Sequence, residues 1–398
     1  MLVLAEFDVR IGNRVVWCSE DLNRAQLAGI EYKMIPSGAH GTSTDTIYFR
    51  AGELSGLAVF SARPFTPQRL HRPQAMRIYS LAVLDHQCQV PFTLETWLRS
   101  LLEKFIALDN REVLENAEDK FPDPVTHPIL AAPEFVQAYG PTIFELWKAG
   151  ISRQRIMVCD TTLSVRKLSQ FCYLIGVIGS MPSDVAFLLN GDEPLELKCL
   201  YHVTLTDTEV LKSANGFCAT TTDSLLTLQD RNLCDIVADA SSVRKLGGGN
   251  LWPSWRDRHR FNANVAILHP SYISLHQPIS QYFDTLLESC TQGLLWWASA
   301  GDLSLVNEFS DAGTQLLQDA PTIEGIGLIG EFHNYTRQMV RTIAAIADQC
   351  EDELVFGVDD IAQMGLNPLS IHDHRFIERF CSVWFARPVR FKWLCLCG

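Results

Sequence analysis

Three stretches of this sequence have residue types and spacing that could do chemistry. Gly325-Ile-Gly327-Leu-Ile-Gly330 matches the GxGxxG pattern, in which backbone N–H groups at a strand-to-helix turn cradle a pyrophosphate. That chemistry needs a buried strand ahead of the first glycine. Gln315 to Glu324, carrying Asp319, Pro321 and Glu324, does not read as one, so the stretch reads as a flexible connector between helices. Lys245-Leu-Gly-Gly-Gly-Asn250 brings glycines to a lysine but lacks Walker spacing, and it reads as a loop. His372-Asp-His374 sets two imidazoles at i and i+2, which do not share a helix face, with no further ligand at metal-like spacing. There is no G-x-S-x-G elbow, and no carboxylate pair stands out for acid–base work. No catalytic residue, metal or cofactor is expected.

Two further groups suit binding. Arg244, Lys245, Arg256, Arg258, His259 and Arg260 surround Trp252 and Trp255. Basic side chains interleaved with indoles can hold phosphates or lipid head groups. The plainer reading is a surface loop whose tryptophans pack back onto the domain. If the cluster does bind, an anionic membrane surface is favoured over nucleic acid, because the chain as a whole is acidic. Cys395 and Cys397, preceded by Arg390 and Lys392, would suit S-acylation with a basic assist. Their plainer reading is a frayed tail.

The frame that must position these groups is set by composition. A length of 398 residues suggests two or three domains. A hydrophobic share of 47% is ample for large cores, and a net charge of −13 argues against a general polyanion binder. The 12 cysteines are scattered without a CxxC pair and read as reduced, mostly buried thiols of a cytosolic protein. The start reaches Glu6 too soon for a secretory signal, and the apolar run from Phe171 to Met181 is too short to span a bilayer. Any membrane contact is expected to be peripheral, on vesicles or endomembranes.

The chain's first part reads as an antiparallel meander. Phe7 to Arg10 and Arg14 to Trp17 are β-rich runs joined across Ile11-Gly12-Asn13, and Thr46–Arg50, Gly56–Phe60 and Arg77–Leu84 follow at short spacing. From Thr93, a plausible N-cap, to Leu108, apolar residues recur at helical spacing. This predicts a first domain over 1–108, with the helix covering one face of the sheet. Residues 109–141 hold Pro122, Pro124, Pro128, Pro133 and Pro141 and read as an extended linker. Over 142–273 the pattern alternates. Helices are expected at Ile143–Ala149 and Val165–Ser180, and strands at Arg155–Cys159, Ala186–Leu189, Lys198–Leu205, Phe217–Thr220 and Leu233–Ala238, as in an α/β layer. The remainder, 274–398, reads as helical, with periodic segments at Tyr282–Ala298, Asp302–Asp319 and Asn334–Gln349 and two short helices within Phe356–Phe385.

Several blocks carry a family resemblance by their order and spacing. Asp8-Val-Arg10-Ile-Gly12-Asn13 leads to Trp17; Gly29-Ile-Glu31-Tyr-Lys33 leads to Pro36-Ser-Gly38-Ala-His40; Asp45 to Arg50 and Gly56 to Phe60 follow. Together they resemble the longin-type N-terminal module of the LCHN branch of the DENN-domain superfamily. Leu146-Trp-Lys148, Arg153 to Val158 and Phe217 to Asp223 resemble parts of a central DENN module, and Met364-Gly365-Leu366-Asn-Pro368 resembles a C-terminal signature of that branch. The resemblance is dense at the N-terminus and sparse between about 241 and 350. It implies a longin-like five-stranded antiparallel sheet with helices, a Rossmann-like α/β module and a helical C-terminal part. It also implies a guanine nucleotide exchange factor for a Rab-type small GTPase in membrane trafficking, one that makes and breaks no bonds. The GTPase-interface candidates it suggests are Ser37, Gly38, His40, Asp45, Tyr48, Phe49 and Arg50 on the first module and Arg153 and Arg155 on the second. Tyr48 and Phe49 should face opposite sides of a strand, which puts at least one in the core. Glycine is expected where Ala82 stands. The alternatives are a trafficking adaptor that binds a GTPase or membrane without promoting exchange, and a nucleotide-dependent α/β enzyme.

Overall fold

The computed structural model of the protein describes residues 1–8, 11–19, 29–37, 42–65, 75–86, 90–117, 120–190, 192–228, 232–239, 242–261, 320–350 and 352–392. The meander forms as its alternation demands. Strands β1 (Leu2–Asp8) and β2 (Gly12–Cys18), helix α1 (Ile30–Met34), and strands β3 (Thr44–Ala51), β4 (Leu54–Phe65) and β5 (Ala75–Asp85) build an antiparallel sheet in the order β3-β4-β5-β1-β2. Period-2 patterning splits each strand between two layers. Val3, Ala5, Ile47, Phe49, Ala58 and Phe60 pack with Ile30 and Met34 of α1. Leu4, Tyr48, Leu57, Val59, Leu81 and Val83 face the other way, under helix α2 (Glu95–Leu108), which buries Leu98, Leu101, Leu102 and Phe105. Thr93 does not cap α2; it lies within a 3-10 turn over Phe92–Leu94, and Leu94 takes the cap position. Ala82 is fully buried, so a methyl group fits where glycine was expected.

The proline-rich stretch is folded where an extended linker was expected. After α3 (Glu112–Glu115), 3-10 turns at Pro124–Thr126 and Pro128–Ala131 lead into α4 (Ala132–Tyr139) and a further turn at Gly140–Thr142. Pro128, Pro133 and Pro141 each stand in the first turn of one of these elements, where the missing N–H costs nothing and the fixed φ suits a helix. Ile129, Phe135, Val136 and Tyr139 are buried, and Phe135 and Tyr139 pack edge-on against Phe171. Proline density reports turn starts here, and the apolar residues between the prolines dock the segment.

The α/β part follows as α5 (Ile143–Ile151), β6 (Arg155–Cys159), α6 (Val165–Ile178), β7 (Cys199–His202), α7 (Thr208–Ser213), β8 (Phe217–Thr221), β9 (Ile236–Ala238) and β10 (Val243–Lys245). Strands β9, β6, β8 and β7 are mutually parallel, and β10 adds antiparallel at the edge. The strand expected at Ala186–Leu189 is a 3-10 turn over Ser183–Leu188, with Phe187 81% exposed and Val185 its one buried residue. An apolar run without an inward partner for alternate residues does not join a sheet. Among the described residues, ten strands form one sheet in the order β10-β9-β6-β8-β7-β3-β4-β5-β1-β2. The join between its antiparallel and parallel parts is the single β3–β7 pair Phe49 with Tyr201.

The C-terminal part holds α8 (Trp255–Arg260), α9 (Ala320–Ala347), β11 (Leu354–Phe356), α10 (Val358–Gln363), α11 (Ile371–Trp384) and β12 (Val389–Phe391). The helix expected at Asn334–Gln349 is the second half of α9, and the two short helices within Phe356–Phe385 are α10 and α11. The helical segments expected at 282–298 and 302–319 lie outside the described residues. The GxGxxG stretch is neither a phosphate loop nor a connector: Gly325, Gly327 and Gly330 sit inside α9. A Cβ on Gly325 would come within 2.8 Å of the Ile129 carbonyl oxygen, so this glycine lets two backbones approach.

One buried charge cluster ties these parts together. The Lys148 ammonium of α5 donates to Asp257 of α8 at 2.8 Å, to Asp373 of α11 at 2.8 Å and to Glu145 at 3.2 Å. Burial depresses the lysine, but Glu145, Asp257 and Asp373 outweigh it and hold the pKa above the ordinary value. Burial pushes the Glu145 carboxyl up, against the pull of Lys148. Removing one partner of such a cluster leaves uncompensated buried charge. Lys148→Met is therefore expected to destabilise the protein by about 3–5 kcal/mol, read as a lowered urea midpoint at neutral pH.

Candidate functional site

The seam between the antiparallel and parallel parts of the sheet is closed mainly by side chains. Asp45 of β3 accepts from the backbone N–H groups of Val165 (2.7 Å) and Arg166 (3.2 Å) at the start of α6, where a helix leaves its first donors unpaired. Beside it, Glu95 of α2 accepts from Arg166 Nε (2.9 Å), Thr46 Oγ1 (2.8 Å) and Arg99 (3.3 Å). Across the seam Lys33 of α1 pairs with Asp207 at 2.7 Å, and Thr222 Oγ1 donates to the Ser37 carbonyl at 3.0 Å. Tyr201, at φ 55°, packs its ring against Tyr48 (5.9 Å) and Phe92 (6.2 Å).

Above these contacts runs a groove of about 400 Å³. Phe7, Asn13, Ile35, Pro36 and Ser37 line one wall, and His202, Val203, Thr204, Thr221, Thr222 and Asp223 the other. It continues into a smaller cleft of about 160 Å³ that shares Pro36, Ser37 and Thr222 and adds Asp45, Asp160 and Ser164. The second wall lies at the carboxyl ends of β7 and β8, where open α/β sheets place their ligand sites. Tyr32 and Leu205 at its rim are 46% and 42% exposed. On the floor His202 is 1% exposed, and neither ring nitrogen has a hydrogen-bond partner among the described residues. Burial, with Lys33 nearby, lowers its pKa to about 4, so it is neutral near pH 7. The walls offer hydroxyls, amides, apolar surface and the carboxylates of Asp223 and Asp160.

The residues singled out from the sequence divide sharply. Ser37 is exposed and lines both clefts. Asp45 borders the smaller cleft, but its carboxylate is occupied as the cap of α6. Tyr48 and Phe49 do face opposite layers, and both are fully buried, so neither presents a surface to a partner. The Arg50 carbonyl accepts from Lys33. Arg153 is 5% exposed: it donates to the carbonyls of Gly150, Gly179, Pro194 and Leu195, stacks over Trp384 at 4.7 Å, and is lowered by burial to about 10. Arg155 pairs with Asp235 at 2.8 Å and donates to the Asn232 carbonyl. Both arginines thus brace the fold. Gly38 and His40 lie outside the described residues, as do Cys395 and Cys397. Sequence reasoning missed Tyr32, His202, Leu205 and Thr222. Tyr32 stood inside a quoted motif, but only the fold shows that it faces outward at a groove.

The basic cluster is also divided. Arg256 donates to the Ala362 carbonyl and Arg260 to that of Met364, with Arg260 over the Tyr335 ring at 4.5 Å. Lys245 and Arg258 are exposed and Arg244 half-buried. Trp252 and Trp255 are 70% and 62% exposed, so they do not pack back onto the domain as the plainer reading supposed. Of the histidine pair, His374 is structural and His372 is exposed. His374 stacks on Phe391 at 4.2 Å, and among the described residues no group of His, Cys, Asp or Glu is arranged to hold a metal ion. Nor is any described helix long and apolar enough to cross a membrane.

The fold is an antiparallel five-stranded sheet joined edge-on to a parallel α/β sheet, with a groove at their seam. Residues 2–119 and 103–245 match the family described as DENN domain-containing protein 11. The chain belongs to that family, within the DENN-domain superfamily. The DENN domain-containing protein 11 of Xenopus laevis is 27% identical over 266 residues, covering 60% of this chain and 59% of that protein. The Rattus norvegicus protein of the same description is 27% identical over 269 residues, covering 60% and 56%. A Schizosaccharomyces pombe protein described as uncharacterized protein C119.16c is 24% identical over 457 aligned positions, covering 98% and 93%. The chain thus spans less than two thirds of the length of the vertebrate relatives it matches.

The buried imidazole gives the groove a pH signature. A histidine whose folded pKa lies near 4 and whose unfolded pKa is 6.5 contributes stability above pH 6.5 that is lost as pH falls through 4. His202→Gln removes the titration, so its unfolding free energy is expected to fall less than the native chain's between pH 7 and pH 4. The difference should be on the order of a few kcal/mol, measured by urea unfolding across that range.

Proposed function

We propose that the chain is a guanine nucleotide exchange factor for a Rab-type small GTPase and that the groove over His202 receives a segment of that GTPase. The observation that carries this is the coincidence of the groove with the part of the chain that matches the DENN family, residues 2–245. Proteins of this superfamily generally hold the GTPase between their modules and draw its switch I region away from the nucleotide. The chemistry required of the exchange factor is differential affinity. It binds the nucleotide-free conformation better than the loaded one, and the GTPase then releases nucleotide faster. Such a role needs a rigid, shaped surface, and the buried lock of Asp45, Glu95 and Arg166 under the groove supplies rigidity. Tyr32 and Leu205 at the rim offer the exposed apolar side chains on which interfaces concentrate their binding energy.

The test is a nucleotide-release assay over a panel of Rab-type GTPases. One member is expected to release a fluorescent guanine nucleotide faster with the chain than without it. Tyr32→Ala combined with Leu205→Ala should cut that acceleration at least about tenfold with little change in thermal unfolding, whereas Tyr48→Ala should act through loss of stability. Binding without faster release would identify a trafficking adaptor instead. No binding by any member of the panel would sink the GTPase reading altogether.

A further inference from the structure

We propose that Trp252, Trp255, Lys245 and Arg258 form a docking surface for an anionic lipid bilayer. Two tryptophans three positions apart are 70% and 62% exposed, an unusual use of the largest apolar side chain. Indoles favour the head-group level of a membrane, where the ring is half in lipid and the N–H meets water. The charges beside them are basic. Arg256 lies over the Trp255 ring at 5.6 Å, and Lys245 and Arg258 point no hydrogen bond or ion pair at any described residue. On a chain of net charge −13 this is a local reversal of sign. It matches a negatively charged head-group layer, whereas the indoles would be left in water against a hydrophilic acidic peptide.

The surface is also built to be rigid. β10 reverses through Gly247, with a bridge between Arg244 and Asn250 and a hydrogen bond from Leu251 N to the Val243 carbonyl at 2.7 Å, which holds the chain between Lys245 and Trp252 in a tight turn. Helix α8 is capped by Ser254 and pinned from beneath. Asp257 is held by Lys148, and Arg260 lies so tightly against Gly365 that a Cβ there would overlap the guanidinium. Asp257 and Arg260 thus face inward, while Trp255, Arg258 and His259 are left exposed.

The experiment is vesicle flotation of the full chain with phosphatidylcholine vesicles, with and without phosphatidylserine. Each basic side chain near an anionic surface is worth roughly a fivefold change in partitioning. The native chain is expected to float with the phosphatidylserine vesicles, the more so at low salt. Lys245→Glu with Arg258→Glu should lower that partitioning by about 25-fold or more, and Trp252→Ala with Trp255→Ala should also abolish flotation. Because all four side chains are outward, thermal unfolding should stay unchanged, which separates loss of docking from misfolding. Equal flotation of the native chain and both variants would overturn the proposal. So would equal flotation with both vesicle types, or binding to polyglutamate in place of vesicles that is lost on charge reversal.

Discussion

The geometry of the groove depends on the side-chain contacts that close the seam, the Asp45 carboxylate foremost among them. Among the described residues only the pair Phe49 with Tyr201 joins the antiparallel and parallel parts of the sheet by ladder hydrogen bonding, and a single pair does not fix an angle between two sheets. Asp45 supplies the constraint. It leaves β3 at the seam and takes the first free N–H groups of α6, so a strand of one part caps a helix of the other. Burial raises the Asp45 pKa, and the three backbone donors around it oppose that rise. Two of these donors, the N–H groups of Val165 and Arg166, reach Asp45 only when the two parts are in register, whereas the third, from Thr46, is on β3 itself.

A second constraint acts at the far side. Lys148 is buried and holds three acidic side chains from three helices. A buried cluster of this kind specifies which helices meet, because any other docking would leave a bare charge in the interior. Its consequence reaches the surface. Asp257 belongs to α8, so fixing it also fixes where Trp255 and Arg258 emerge. The two candidate interaction surfaces, groove and indole patch, are therefore each set over a polar anchor.

Much of the fold was legible in the sequence because its signals were local. Alternation in Thr46 to Phe60 and Arg77 to Leu84 is enough for strands, and the spacing of Leu98, Leu101, Leu102 and Phe105 is enough for α2. The errors share a cause. The prolines of 122–141 and the glycines of 325–330 have more than one structural meaning, and local rules took the commoner one. Whether a proline ends order or starts a turn depends on what Ile129 and Phe135 find to pack against. Whether a glycine gives freedom or permits contact depends on the neighbour, here the backbone of Ile129. The site was less legible still. Tyr48, Phe49 and Arg153 looked like contact residues because they sit in recognisable motifs, yet those motifs are framework.

The sequence alone determined which segments bury one face and that its motifs follow the order of a DENN-type chain. These properties depend on residue type and on neighbours a few positions away. Only the tertiary structure decided that β3 and β7 meet, that Asp45 serves as a helix cap, that His202 ends at the floor of a groove with Tyr32 and Leu205 at its rim, and that Trp252 and Trp255 face outward. Each of those outcomes is a contact, or the absence of one, between residues far apart along the chain. Burial is a property of the packed whole, and no window of sequence contains it.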